Sequence, residues 1–72
     1  MTQKIGIDRI AIGQRLRNLR GDKPIQKVAE DLGVSVSAIS MWENGERLPK
    51  DDKKIALASY YGTSVQALFY AQ

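Results

Sequence analysis

The spacing of four residues in mid-chain narrows the possible folds more than any other feature of the sequence. Within "VAEDLGVSVSAISMWENG", Ala29 is followed by Gly33, then Ile39, then Trp42, at intervals of four, six and three residues. Two helices joined by a turn of about three to four residues bring their backbones close where they cross. A large side chain at position 29 would hold them apart. The turn needs a residue with positive φ, which Gly33 adopts without strain at Cβ. Ile39 and Trp42 share one face of the second helix and pack inward. Ser37, Ser40, Met41 and Asn44 then fall on the opposite face. Core packing explains the inner face. It leaves the outer face, with its apolar Val36 and Met41, in need of a purpose.

The same helical periodicity runs through the rest of the chain. "IAIGQRLRNLR" places Ile12, Leu16 and Leu19 on one amphipathic stripe. Gly21 and Asp22 end that helix, and Pro24 suits the first turn of the next. "IQKVAEDLG" gathers Val28, Ala29 and Leu32 on one face. Ser35 is an N-cap for the third helix, which runs to about Glu43 before Asn44-Gly45 breaks it. "GERLP" is a loop closed by Pro49. Asp51 or Asp52 opens a fourth helix containing Ile55, Ala58 and Tyr61, with Gly62 just past its end. Thr63 and Gln66 have capping-box spacing for a short fifth helix, in which Val65, Leu68 and Phe69 face inward. No useful stretch alternates with period two, so no sheet is expected. The expected fold is all-α: five short helices forming one domain over residues 12–70, with 1–11 an N-terminal arm or helix start.

Composition removes several classes of function. The chain has 72 residues, enough for one small domain whose core must be efficient. It contains no Cys and no His, which excludes disulfides, zinc–thiolate sites and the commonest general base. Asp51 and Asp52 are adjacent at a helix start, where carboxylates favour the dipole, and no nucleophile–base pair is present. No enzyme activity, metal or cofactor is expected. No run approaches the roughly 18 apolar residues of a membrane span, and the N-terminus lacks the apolar stretch of a signal peptide. A cytoplasmic location is expected.

The net charge of +3 is mild, but its distribution is uneven. Residues 1–20 carry Lys4, Arg9, Arg15, Arg17 and Arg20 against Asp8 alone. A second cluster holds Arg47, Lys50, Lys53 and Lys54, diluted by Glu46, Asp51 and Asp52. Such clusters suit a polyanion, though a solvated face has the same composition.

"LRNLR", "VAEDLGVS", "AIS", "WENGERLP" and "YYGTSVQALF", in that order, resemble the Cro and phage-repressor (lambda repressor-like, XRE-type) family of bacterial DNA-binding regulators. The likeness runs over about residues 12–69. It implies a helix-turn-helix made by the second and third helices and sequence-specific binding to duplex DNA. A dimer on a two-fold-symmetric operator is implied too. It also implies that Arg20, ending the first helix, pairs with Glu43 of "ENG". The chain departs from the family in three respects: the connection between the first two helices is shorter than usual, and residues differ at two places. Pro24 and Ile25 stand where a Ser or Thr followed by Gln begins the second helix, and that Gln touches a phosphate. Gln26 lies one position further on. Val36 and Met41 occupy positions that often hold polar readers.

An α-helix fits the major groove and presents its N-terminal residues to base edges. The expected base contacts are Val36, Ser37, Ser40 and Met41. Ser discriminates weakly, while Val and Met suit thymine methyl groups, which favours thymine-rich half-sites. Gln26, Lys27, Ser35, Asn44, Arg47 and Lys50 are the expected phosphate contacts. Arg15 and Arg17 are weaker candidates for phosphates, since such residues are more often solvated helix charges than contacts. Trp42, Tyr61 and Phe69 are expected in the core, and a homodimer contact is placed at Tyr60, Phe69 and Tyr70. From the size of the chain no sensor domain is expected, and the expectation is a small free-standing repressor of phage, plasmid or mobile-element type. The alternative is a protein-interaction module on the same fold, an antitoxin or adaptor that uses the apolar part of the third helix.

Overall fold

The computed structural model describes residues 8–71. All regular structure among them is helical: α1 (Arg9–Arg20), α2 (Ile25–Leu32), α3 (Val36–Glu43), α4 (Asp51–Tyr60) and a fifth, π-helical segment (Gln66–Tyr70). Lys4 and most of the proposed N-terminal arm lie outside the described residues. Among those described, no helix is long and apolar enough to cross a membrane.

Several helix ends have an identifiable local reason. The Asp8 carboxylate caps α1 by accepting from the N–H groups of Ile10 and Ala11, at 3.1 and 3.2 Å. The Ser35 hydroxyl caps α3 by accepting from Ala38 N–H at 3.0 Å. Gly33 ends α2 with φ +70° and ψ +34°. Its N–H donates to Glu30 O while Val34 N–H donates to Ala29 O, the paired closure that leaves few helix carbonyls without partners. The same two-bond closure ends α3, where Gly45 and Glu46 donate to Trp42 and Met41, and α4, where Gly62 and Thr63 donate to Ser59 and Ala58.

Two local expectations shift by one residue. Pro24 is the residue before α2 and not in its first turn: its carbonyl accepts from Lys27 and Val28 N–H at 3.0 and 3.3 Å. Ser64, not Thr63, caps the fifth helix, its hydroxyl accepting from Ala67 N–H at 3.0 Å. The hydroxyl one position nearer the helix reaches the free N–H, so the Thr63–Gln66 box does not form.

The core consists of Ile12, Leu16, Val28, Ala29, Ile39, Trp42, Leu57, Ala58, Leu68 and Phe69. α1 packs against α3 and the fifth helix, and α2 packs against α3 and α4. Two apolar residues depart from the expected stripes. Leu19, in the last turn of α1, is exposed. Ile55 is 62% exposed because α4 buries the row Lys54, Leu57 and Ala58 instead.

Lys54 is therefore no surface cation; it is 8% exposed. Its ammonium donates to Tyr70 Oη at 2.9 Å and lies 5.7 and 5.2 Å from the Phe69 and Tyr70 ring centroids. A buried ammonium needs such partners, and two rings, a hydroxyl and the Asp51 carboxylate 3.7 Å away supply them. Arg15 is similarly committed: its guanidinium donates to Leu68 O at 2.9 Å and Ala71 O at 2.7 Å. It ties α1 to a carbonyl in the last turn of the fifth helix, where intrahelical partners are lacking, and to the residue that follows that helix.

Candidate nucleic-acid interface

α3 turns inward at Ile39, Trp42 and Glu43, is exposed at Val36 and Ser37, and is half-buried at Ala38, Ser40 and Met41. Val36, its first residue, is 41% exposed, and Ser37 is exposed beside it. Ser40 and Met41 are half-buried, and Met41 borders a cleft with Trp42 and Leu48. The four expected readers thus split into an open pair at the helix start and a partly covered pair one turn on. Ser35 is exposed at the cap. Its hydroxyl oxygen is engaged by Ala38, which leaves its O–H free to donate.

The C-terminal end of α3 is held by one row of α1. Gly13, Arg17 and Arg20 recur at helix-face spacing, and all three meet α3 or the residue after it. Gly13 touches α3 backbone directly: a Cβ there would lie 2.9 Å from Trp42 O and 2.8 Å from the Glu43 carbonyl carbon, and would collide with Glu43 O. Only the absence of a side chain permits that approach. Arg20 Nε donates to Glu43 Oε2 at 2.7 Å and Arg20 Nη2 to Glu43 Oε1 at 3.0 Å. This is a bidentate fork on a carboxylate whose side chain is 3% exposed. The third arm of the guanidinium, Nη1, donates to Lys23 O at 2.9 Å, tying in the α1–α2 turn. The hydrogen bond to Glu43 holds the Arg20 guanidinium above its ordinary pKa.

Arg17 completes the row. Its Nε lies 3.6 Å from Glu43 Oε1, and its Nη2 donates to Asn44 Oδ1 at 2.7 Å. A guanidinium only donates, so the Asn44 carbonyl must face it. The Asn44 amide N–H₂ is then turned toward Ser40 Oγ, 3.4 Å away. Asn44 is thus oriented from behind by Arg17, with its remaining donor capacity on the α3 side. Two cations at this end also balance the negative pole of α3 and the carboxylate placed there.

The other expected phosphate contacts are distributed around α2 and the loop after α3. Gln26 is exposed at the second position of α2. The carbonyl of Pro24 receives the first turn's bonds from Lys27 and Val28, so the N–H groups of Ile25 and Gln26 precede the helix's own ladder. Lys27 is exposed and lies 3.4 Å from Asp31, one turn on. Arg47 and Lys50 are exposed in the loop and at the start of α4.

A separate polar network braces α2 against α4. Tyr60 Oη donates to Asp31 Oδ2 at 2.6 Å and accepts from Lys23 Nζ at 3.0 Å. The Tyr60 hydrogen bond holds the Asp31 carboxyl below its ordinary range and raises Lys23 above its own. Tyr61 stacks edge-on against Tyr60, with ring centroids 5.1 Å apart. Burial pushes its phenol up to about 12. Of the aromatic residues expected at a dimer contact, Phe69 is 2% exposed and offers no surface. Tyr70 is 41% exposed, and Tyr60 is half-buried in its network.

Sequence reading missed Gly13, Arg15, Arg17 and Lys54. Only Gly13 left a signal: a glycine inside a strong helical pattern costs about 1 kcal/mol against alanine, which calls for a packing reason. The three cations are indistinguishable from surface charges until their partners, many residues away, are placed.

Two helices joined through a left-handed glycine, the second exposing its N-terminal face and pinned at its C-terminus, define a helix-turn-helix. The family model described as "Helix-turn-helix" matches residues 14–68. The chain belongs to this DNA-binding helix-turn-helix family, of the Cro and phage-repressor, lambda repressor-like type. No curated protein matches it.

Proposed function

We propose that the chain is a small transcriptional repressor that binds duplex DNA sequence-specifically as a homodimer, in the cytoplasm of a bacterium. α3 lies in the major groove. Val36, Ser37, Ser40 and Met41 meet base edges, and Gln26, Lys27, Ser35, Asn44, Arg47 and Lys50 meet phosphates. The observation that carries this reading is the division of α3 into an exposed N-terminal face and a C-terminus clamped by α1. A helix so held can be docked rigidly, with its free end toward the bases.

Discrimination by these readers is modest. Val36 and Met41 favour thymine methyl groups, and no Arg, Asn or Gln stands at the early positions to pair bidentately with a purine. Each contact contributes about 1 kcal/mol, the low end of the usual range, and DNA deformability adds to it. Ser40 accepts from Asn44 on one side, so its O–H is best used toward a base acceptor. Phosphates dominate affinity. Neutralising about six of them costs roughly three decades of affinity between about 50 and 200 mM salt. A homodimer sets two copies of α3 about one helical turn, roughly 34 Å, apart. Tyr70 supplies exposed apolar surface for that contact.

Selection of bound duplexes from a random library at two salt concentrations tests the proposal. The expected result is a two-fold-symmetric, thymine-rich motif whose binding weakens steeply with salt. Absence of enrichment at either salt would overturn it and leave a protein-interaction module as the function of this fold.

A further inference from the structure

Between the second half of α3 and the start of α4 the chain leaves an open cleft of ≈ 460 Å³. Its floor is apolar, formed by Val34, Ala38, Met41, Trp42 and Leu48. Arg47, Lys50 and Lys53 line it as well. No ion pair within 4 Å among the described residues involves these three cations, and Glu46, Asp51 and Asp52 adjoin them in the chain without closing on them. The volume lies within the roughly 300–1,000 Å³ of cavities that accept ligands.

The two halves of this surface ask for different chemistry. Duplex DNA satisfies Arg47 and Lys50 with phosphates and meets Met41 with a thymine methyl, but it offers no bulky apolar group to seat against Trp42 and Leu48. A purely apolar segment covers the floor and leaves three cations to be desolvated without partners, which is costly. An acidic peptide with a bulky apolar anchor satisfies both. We propose that the cleft binds an acidic segment of a second protein. One aliphatic or aromatic side chain seats against Met41, Trp42 and Leu48, and flanking carboxylates meet Arg47, Lys50 and Lys53.

Met41, Arg47 and Lys50 belong both to this cleft and to the DNA contacts proposed above. On that reading, peptide and DNA exclude one another, and the cleft is a site from which the protein can be released from its operator. An acidic segment there competes for the same cations and blocks one of the reading side chains. The match is electrostatic as well as steric, so approach of the partner is accelerated at low salt.

The test uses the full chain and a displayed library of random 15-residue peptides, selected at moderate salt. The expected outcome is enrichment of peptides in which a bulky apolar residue is flanked by Asp or Glu. Lys53→Glu should weaken a selected peptide at least ten-fold, with circular dichroism checking that the variant is folded. Lys27→Glu lies outside the cleft; it should weaken DNA and leave peptide affinity within two-fold. The selected peptide should displace DNA. Enrichment without acidic residues, or equal binding to Lys53→Glu, would overturn the site. A ternary complex of peptide, protein and DNA would overturn the exclusion. If peptides bind as described while no duplex is ever enriched, the DNA reading fails and the cleft stands. If duplexes are enriched and peptides are not, the reverse holds.

Discussion

Removing Arg20 should cost a large share of this domain's stability. Its fork makes two charge-assisted hydrogen bonds to Glu43, at 2.7 and 3.0 Å, and Glu43 is 6% exposed. Deleting one partner of a buried pair leaves the other charged and without compensation, which costs about 3–5 kcal/mol. Arg17 remains 3.6 Å from the same carboxylate, but its side chain is 56% exposed. A pair of that kind recovers about 1 kcal/mol at most. Arg20→Met should therefore lower the unfolding free energy by about 2–4 kcal/mol. A 72-residue domain has about 4–11 kcal/mol in total. Tm should fall by about 10–25 °C.

Glu43→Gln should cost less, about 1–2 kcal/mol, because Arg20 lies nearer solvent and can be hydrated. The double variant should be more stable than the sum of the single losses implies, by about 1 kcal/mol or more. Urea denaturation followed by circular dichroism measures all three. A loss under about 0.5 kcal/mol for Arg20→Met, or strict additivity in the double variant, would show that the two groups do not act as a pair. The same variants should loosen DNA binding at constant salt, since the fork fixes the end of α3.

Gly13→Ala would normally stabilise a helix interior by about 1 kcal/mol; here the added Cβ meets α3 backbone, and a net loss of about 1–3 kcal/mol is expected by denaturation. A gain in stability would refute the close approach. Tyr61, pushed up to about 12 by burial, stays neutral in the fold to higher pH than in the unfolded chain. Its contribution is complete below about pH 10, is lost as pH rises toward 12, and after discounting for partial exposure amounts to about 1–2 kcal/mol. Phenolate absorbance should show a late-titrating phase that Tyr61→Phe removes; persistence of that phase in Tyr61→Phe would contradict this. Ser64→Ala should cost about 1 kcal/mol through loss of the cap, while Thr63→Ala stays within about 0.5, as read by thermal melts. Reversal of that order would return the cap to Thr63.

Those features of the fold that depend on near neighbours were legible before any coordinates. Ile12 with Leu16 and Ile39 with Trp42 are helix-face pairs, Val28 and Ala29 adjoin on the inner side of α2, and all are buried. Gly33, Gly45 and Gly62 carry positive φ at the ends of α2, α3 and α4, where each followed a periodic run. What was not legible depends on tertiary approach. Ile55 and Leu57 are equally apolar, and only the angle at which α4 meets the core exposes one and buries the other. Lys54 sits in the sequence among charged residues, and its two aromatic partners lie in another helix. Thr63 and Ser64 differ as caps by one residue, within the uncertainty of any boundary read from pattern.

The candidate site divides along the same line, for a reason that bears on how such a protein can change its target. The parts that fix α3 in space are not its readers. At its start α3 is tied to α2 through Gly33 and the Ser35 cap; at its end it is tied to α1 through Gly13, Arg17 and Arg20. These are contacts of backbone, charge and shape, and they permit few substitutions. Val36 and Ser37 stand in solvent and support none of them. Met41 and Ser40 are only partly involved. A chain this small separates presentation from reading by spending most of one face of α1 on the C-terminus of α3. That arrangement leaves the N-terminal turn free to vary in chemistry while its position stays constant. The glycine turns and apolar faces of the scaffold are therefore readable from pattern and the Gly13 and Arg17 contacts are not, whereas the identity of a preferred base depends on a few side chains whose contacts lie outside the molecule.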